Sequence, residues 1–252
     1  MTLDDIIDME IKYISLFSKK KKRASGIILY DDKQKDKYTH NLMFLNQQVI
    51  EISELKQYEK TQSKQGFVRF RLEHQDRLDF QFLSSYQMST FGYFSSHINL
   101  LHLNANKDAD IKIIDPSADD LFFEFMYEED LPFGVSYAEG NVQRQKEILK
   151  AHQKDYFYLG LKFQDVYIGH LNVHIQNDRA KIDEFYVKED YQKQGYGTAL
   201  MSFMIETLKR KKIEEVYLVT DLADTAKELY VKYGFKLTGT FKEYQKHFDN
   251  AK

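Results

Sequence analysis

The stretch that decides the fold is AKIDEFYVKEDYQKQGYGT, residues 180–198. Its first eight residues alternate as a strand does, with Ile182, Glu184 and Tyr186 on one side and Asp183, Phe185 and Val187 on the other. A helix is expected next. Leu200, Met201, Met204, Ile205 and Leu208 recur at three- and four-residue spacing, and Lys209, Arg210, Lys211 and Lys212 put cations where a helix dipole is negative. Between strand and helix lies Gln192-Lys193-Gln194-Gly195-Tyr196-Gly197. The first turn of a helix leaves backbone N–H groups unpaired, and glycine there lets a phosphate reach the main chain without meeting a Cβ. Two other phosphate loops are excluded: GxxxxGK[ST] is absent, and a dinucleotide fingerprint starting at Gly195 needs a glycine where Leu200 stands.

Downstream stands Ala226-Lys227-Glu228-Leu229-Tyr230-Val231-Lys232-Tyr233-Gly234-Phe235. Q-x-x-G-x-G behind a strand ending in Val187, followed by A-x-x-L-Y-x-x-x-G-F, resembles the GNAT family of acyl-CoA-dependent N-acetyltransferases, over roughly residues 110–246. The resemblance implies an α+β fold, a mixed and mostly antiparallel sheet flanked by helices. It also implies an enzyme that moves an acetyl group from acetyl-CoA to a primary amine by direct attack in a ternary complex, with no metal and no covalent enzyme intermediate.

Site residues follow from the same likeness. Gln192, Lys193, Gln194, Gly195, Tyr196, Gly197 and Thr198 would hold the pyrophosphate. Main-chain groups of Phe185, Tyr186 and Val187 would face the oxyanion and the pantetheine arm. Tyr230 matches the tyrosine that donates a proton to the leaving thiolate, although a helix tyrosine taken alone is ordinary packing. Glu184 is preferred to Asp183 as the general base because it shares a face with Tyr186. Lys227 is expected near the CoA phosphates, against the ordinary reading of an exposed helix lysine. The family usually has Asn three residues before the alanine of its second motif, where this chain has Ala223; Asp224, next along, is left to cap the helix beside the cofactor.

Composition narrows the rest. The 252 residues are 42% hydrophobic, enough for one large domain or two ordinary ones. A net charge of −3 does not indicate a globally basic nucleic-acid binder. There is no cysteine, which removes disulfides, thiolate nucleophiles and Cys-ligated zinc, and fits the cytoplasm. No apolar run approaches the ~20 residues of a membrane helix. His170 and His174 have the i, i+4 spacing of a helical metal pair, but Val166-Tyr167-Ile168 and Val173-Ile175 read as strand, so the two line one strand face. Glu128-Glu129-Asp130 could draw a cationic amine to the acceptor side, against the plainer reading of a solvated helix end.

Along the chain, helices are expected at 3–17, 41–60 and 76–88, and strands at 26–30, 66–73 and within 91–103. Lys19-Lys20-Lys21-Lys22-Arg23 reads as a solvated helix end rather than a nucleic-acid patch. Asn104–Asp110 is polar and suggests a boundary, giving a mixed α/β domain at 1–108, a degenerate GNAT-like half without a pyrophosphate loop, and the GNAT domain at 109–252. There the strand at 111–114 precedes Asp115, read as the cap of a helix with Pro116 first; helices are expected at 117–127, 138–153, 195–212 and 224–233, and strands at 156–163, 166–176, 180–187, 216–220 and 235–246. The acceptor stays open, a small-molecule or a protein amine, and so does a homodimer through the N-terminal region. Two other readings remain beside catalysis: a non-catalytic acyl-CoA-binding or interaction module, and an acetyltransferase brought to RNA or ribosomes by the basic run.

Overall fold

The computed structural model describes residues 1–45, 50–73, 81–101, 103 and 109–248. In chain order the elements are α1 (Leu3–Ile14), β1 (Lys19–Arg23), β2 (Gly26–Tyr30), β3 (Leu42–Leu45), α2 (Ile52–Gln62), β4 (Phe67–Glu73), β5 (Gln87–His97), β6 (Asp110–Ile113), α3 (Asp120–Asp130), α4 (Val135–Ala151), β7 (Tyr156–Phe163), β8 (Val166–Gln176), β9 (Arg179–Val187), α5 (Tyr196–Arg210), β10 (Glu215–Asp221), α6 (Ala226–Lys232) and β11 (Lys236–His247). They form two compact units that interleave along the chain. The larger takes Met1–Met9, Tyr93–Val219 and Thr225–Thr238; the smaller takes Glu10–Gly92, Thr220–Asp224 and the residues from Gly239 on. Among the described residues no helix is long and apolar enough to cross a membrane.

In the larger unit the strand order is β5-β10-β9-β8-β7-β6. Strands β6 to β9 pair antiparallel, while β9 and β10 are parallel and joined through α5. This crossover follows from sequence. The stripe of Leu200, Met201, Met204 and Leu208 is fully buried, and α5 lies against β7 and β9 where Leu159, Leu161, Ala180 and Ile182 are buried too. The opposite face is unusual for a buried surface. Register brings Tyr156 opposite His174 and Tyr158 opposite Asn172, and α3 and α4 pack over them, so that a row of polar side chains is sealed inside.

The smaller unit has the order β1-β2-β3-β4-β11-β5. Its plan is similar: an antiparallel set, then a helix, α2, crossing to a parallel neighbour, β3 to β4. Met43, Leu55, Tyr58, Val68 and Phe70 form its core. Strand β11 joins antiparallel to β4, from Phe241 opposite Glu73 to His247 opposite Phe67. That pairing carries a buried ion pair, Arg69 Nε to Glu243 Oε2 at 2.8 Å.

Several expectations change. The helix expected over 41–60 is a strand, β3, followed by a shorter helix, with 46–49 outside the described residues. Leu42–Leu45 is fully buried between two strands, and four apolar residues carry no period of their own. Lys19–Arg23 is not a helix end but an edge strand, all five side chains exposed, paired to Gly26–Tyr30. Of the helix expected over 76–88, residues 76–80 lie outside the described residues; Gln81–Ser85 is a short 3-10 turn and β5 begins at Gln87. Most of the suggested boundary, 104–108, also lies outside them. Asp115 caps no helix: it accepts the Ser117 amide at 2.8 Å in a turn, and its own amide donates to Asp119 Oδ2 at 2.7 Å, so α3 starts four residues later than Pro116 suggests.

Candidate active site

The site is built on the end of β9. Pairing between β9 and β10 runs from Arg179 opposite Glu215 to Ile182 opposite Leu218 and stops. Residues 183–187 therefore have no recorded partner on β10 among the described residues, and the two parallel strands part there. On its other side β9 keeps contact with β8 but gains one residue: Asn172 faces Asp183, and His170 faces Tyr186. This is a β-bulge. Glu184 takes it up with φ of 49°, a left-handed conformation uncommon outside glycine, held by its amide donating to Asp183 Oδ1 at 3.0 Å. The strict alternation expected from sequence, with Glu184 and Tyr186 on one face, is interrupted by this insertion.

The bulge aims the Glu184 carboxylate into the sealed polar row. Tyr158 Oη donates to Glu184 Oε2, and Asn172 Nδ2 donates to the same oxygen at 3.3 Å. Both donors are fully buried. Two residues from Asn172 along β8, His170 Nε2 lies 2.9 Å from Glu129 Oε2, its ring boxed by Phe122, Phe125, Tyr158 and Tyr186 at centroid distances of 5.5 to 6.0 Å. A carboxylate oxygen only accepts, so the hydrogen of this contact is on Nε2. Two buried atoms remain without a partner among the described residues, His170 Nδ1 and Glu129 Oε1. Burial, then the charges of Glu129 and Glu189, push the Tyr186 phenol up from its ordinary value.

The loop after β9 is exposed from Gln192 to Gly195. Gly195 is the N-cap of α5 with φ of 92° and no side-chain cap, and Lys193 is also left-handed at 58°. Among the described residues the amides of Gly195, Gly197 and Thr198 donate to no protein acceptor, so they leave unfilled donors at a helix N-terminus, which fits an anionic diphosphate. The glutamines hold the loop's own frame. Gln192 Nε2 donates to Val187 O at 2.8 Å and Gln194 Nε2 to Asp190 O at 2.7 Å. Gly197 packs closely on Phe185: a Cβ there would sit 3.2 Å from Phe185 Cζ. Tyr196 keeps only its main chain available, its ring being buried on Phe163 and Tyr191.

Phe185 links the loop to α6, its ring 6.5 Å from that of Tyr230. Tyr230 is half-buried, with Lys227 one turn before it on the same face. Asp224 is not the cap of α6; Thr225 occupies that position without a side-chain bond, and the Asp224 amide donates to Asp221 O at 3.1 Å. The Ala223 amide is held by Asp221 Oδ1 at 2.8 Å. Phe185, Gly197 and Tyr230 thus come together, as do Glu184, Tyr158 and Asn172. The second group was missed from sequence apart from Glu184. His170, Asn172 and His174 alternate with Leu171, Val173 and Ile175, which reads as a solvent-facing strand side; the two tyrosines at matching register on β7 were the available signal that the face is covered. Four residues along a strand separate two side chains by roughly 13 Å, so His170 and His174 are too far apart to share an ion. Among the described residues no group of three or more His, Asp or Glu is placed to hold a metal.

Known proteins share the fold. Residues 122–235 match the acetyltransferase (GNAT) family. A functionally unknown conserved protein from Staphylococcus epidermidis has the same fold at TM-score 0.74 and 20% identity, over 95% of this chain and 99% of that one. A GCN5-related N-acetyltransferase from Kribbella flavida does so at TM-score 0.66 and 10% identity, over 97% and 96%. The likeness thus extends through both units, well beyond 122–235. In sequence, 68 residues are 35% identical to the Bacillus subtilis protein named uncharacterized N-acetyltransferase CgeE, a match spanning 27% of this chain and 26% of that relative's length. By the family match, residues 122–235 of the chain form a domain of the GNAT acetyltransferase family.

Proposed function

We propose that this protein transfers an acetyl group from acetyl-CoA to a primary amine, with residues 109–252 carrying the reaction and 1–108 a degenerate copy without a phosphate loop. The observation that carries the reading is the set of unfilled amides at Gly195, Gly197 and Thr198, uncapped at the start of a well-buried helix. They would take the diphosphate, with Lys227 adding charge from α6. Bound acetyl-CoA would supply the activated thioester. The amine nitrogen would bond to the carbonyl carbon as the carbon–sulfur bond breaks; main-chain N–H groups between Phe185 and Val187 would meet the charge on the carbonyl oxygen. Glu184 would take the amine's proton, directly or through water, and Tyr230 would give one to the thiolate.

The acceptor side favours a donor-rich group. Glu129 Oε1 is a buried acceptor without a partner among the described residues, and an amine or ammonium would donate to it. Calorimetric titration should show one acetyl-CoA bound per chain, and free thiol should appear when primary amines are added. Tyr230→Phe should slow release without weakening binding; wild-type turnover across the pH range in that variant removes the acid role. A second reading, a non-catalytic acyl-CoA-binding module, is favoured by Ala223 at the family's Asn position. Binding without thiol release across a broad amine panel would select it.

A further inference from the structure

The smaller unit holds a cavity of ≈ 400 Å³, within the range of small-molecule pockets. It lies between the outer strands and the face of α2 that repeats through Glu54, Gln57, Tyr58, Thr61 and Gln62. A single row across the sheet explains why the space is there. Lys21 on β1 faces Ile28, Ile28 faces Met43, and Met43 faces Phe70. Met43 and Phe70 are buried, Ile28 is half-buried and Lys21 is exposed, so the floor passes from core to charge along one line. The cavity stands where the one gives way to the other.

Its lining carries three cations, Lys21, Arg23 and Lys35, and three carboxylates, Asp31, Asp32 and Glu54, and the two sets are engaged differently. The acidic groups on the wall are committed: Glu54 accepts the Ser25 amide at 2.8 Å, Asp31 the Lys33 amide at 3.0 Å, and Asp32 pairs with Lys19. Among the described residues Lys21 and Lys35 have no hydrogen-bond or ion-pair partner, and Arg23 has only a longer-range attraction to Glu54. At the inner end two polar atoms more than nine-tenths buried, Tyr58 Oη and Gln62 Oε1, also lack a partner. Burial pushes the Tyr58 phenol up, which keeps its proton available as a donor. Two cations without a partner, a third held only at longer range, and two unmet polar atoms fit a ligand with negative charge at one end and a hydrogen-bonding group at the other.

We propose that this cavity binds a small organic anion, its carboxylate or phosphate set against Lys21, Arg23 and Lys35, its body on Ile28 and Met43, and a hydroxyl or amide group between Tyr58 and Gln62. The proposal does not depend on acetyl transfer. It gives the basic run on β1 a use that a solvated edge strand alone does not.

The test uses the full chain at low ionic strength with saturating coenzyme A, and three probes followed by saturation-transfer NMR and equilibrium dialysis: 4-hydroxybenzoate, 4-hydroxyphenyl phosphate and neutral 4-hydroxybenzyl alcohol. At least one anion should bind, one per chain, and the pair tells a carboxylate site from a phosphate site. The neutral probe should bind about tenfold more weakly or worse, and Lys21→Glu/Arg23→Glu should weaken the anion by a similar factor. Both substitutions are on exposed side chains, with circular dichroism as the check on folding; Lys35→Glu, on a loop, is the second variant should the first misfold. Gln62→Leu should weaken the hydroxylated anion more than its unhydroxylated counterpart. Saturable binding by neither anion, equal binding of the neutral probe, displacement by coenzyme A, or unchanged affinity in the charge-reversed chains each overturns the proposal.

Discussion

Replacing Tyr158 by Phe removes one oxygen from a position that solvent does not reach and tests whether Glu184 works as a base. The ring should stay where it is, because Phe122, Tyr156 and His170 hold it at centroid distances of 5.4, 5.9 and 5.5 Å. What is lost is the phenol's hydrogen bond to Glu184 Oε2, leaving Asn172 Nδ2 at 3.3 Å as the donor from that row. A hydrogen bond to a charged group is worth about 1.5–3 kcal/mol. If that bond fixes the carboxylate toward the amine, kcat/KM falls about ten- to a hundredfold, since each ~1.4 kcal/mol is a factor of ten. Thiol release with the best amine found by screening gives the rates, and urea unfolding gives stability. The cycle with Glu184→Gln is decisive: the Tyr158 substitution should matter little once the carboxylate is gone, with a coupling of about 1.5–3 kcal/mol. Rates additive to within ~0.5 kcal/mol refute the idea that Tyr158 acts through Glu184.

Two further predictions follow from packing and charge. At Gly169 an added Cβ would lie 2.7 Å from the main-chain oxygen of Tyr186, so Gly169→Ala should push β9 at the bulge, cost about 1–3 kcal/mol and lower Tm by several degrees, with transfer impaired more than coenzyme A binding; an unchanged melt and rate would show that the bulge tolerates displacement. Asp119 is pushed up by burial, but hydrogen bonds from Lys112 and the Asp115 amide and the Lys112 charge outweigh this and hold its pKa below the ordinary carboxylate value. The stability it contributes is therefore present above the unfolded-state pKa of ~3.9 and is lost as pH falls through the lower folded value. Asp119→Asn should destabilise the chain at pH 6, and the difference from wild type should shrink below pH 4; an undiminished difference in acid would contradict the ion pair.

The second half of the fold was legible because its elements are long and their periods unmixed. Eleven-residue β8 and fifteen-residue α5 each show one repeat over several cycles. In the first half, Leu42–Leu45 is too short to show any, and Leu55 and Tyr58 downstream completed a false helical spacing. A run of five cations likewise hides a strand whose apolar character is supplied by its neighbour. At the site, the glycine turn was readable because phosphate contact needs particular residue types there. The bulge was not, since inserting one residue leaves no compositional trace, and with it went the aim of Glu184 at Tyr158 and Asn172. Burial of His170 and Asn172 depends on helices α3 and α4 some 20 to 50 residues upstream, beyond the reach of any local pattern.

The pairing of β11 with β4 bears on how this chain comes to be folded at all. Arg69 and Glu243 are separated by 174 residues, and the smaller unit lacks a full strand until Phe241–His247 exist. At a synthesis rate of about 5–20 residues per second, β4 waits on the order of ten seconds or longer on the ribosome with one hydrogen-bonding edge bare. The smaller unit is thus finished only after its partner strand some 170 residues downstream has been made, and a nascent chain arrested before residue 239 would present that edge to chaperones or to other copies of itself.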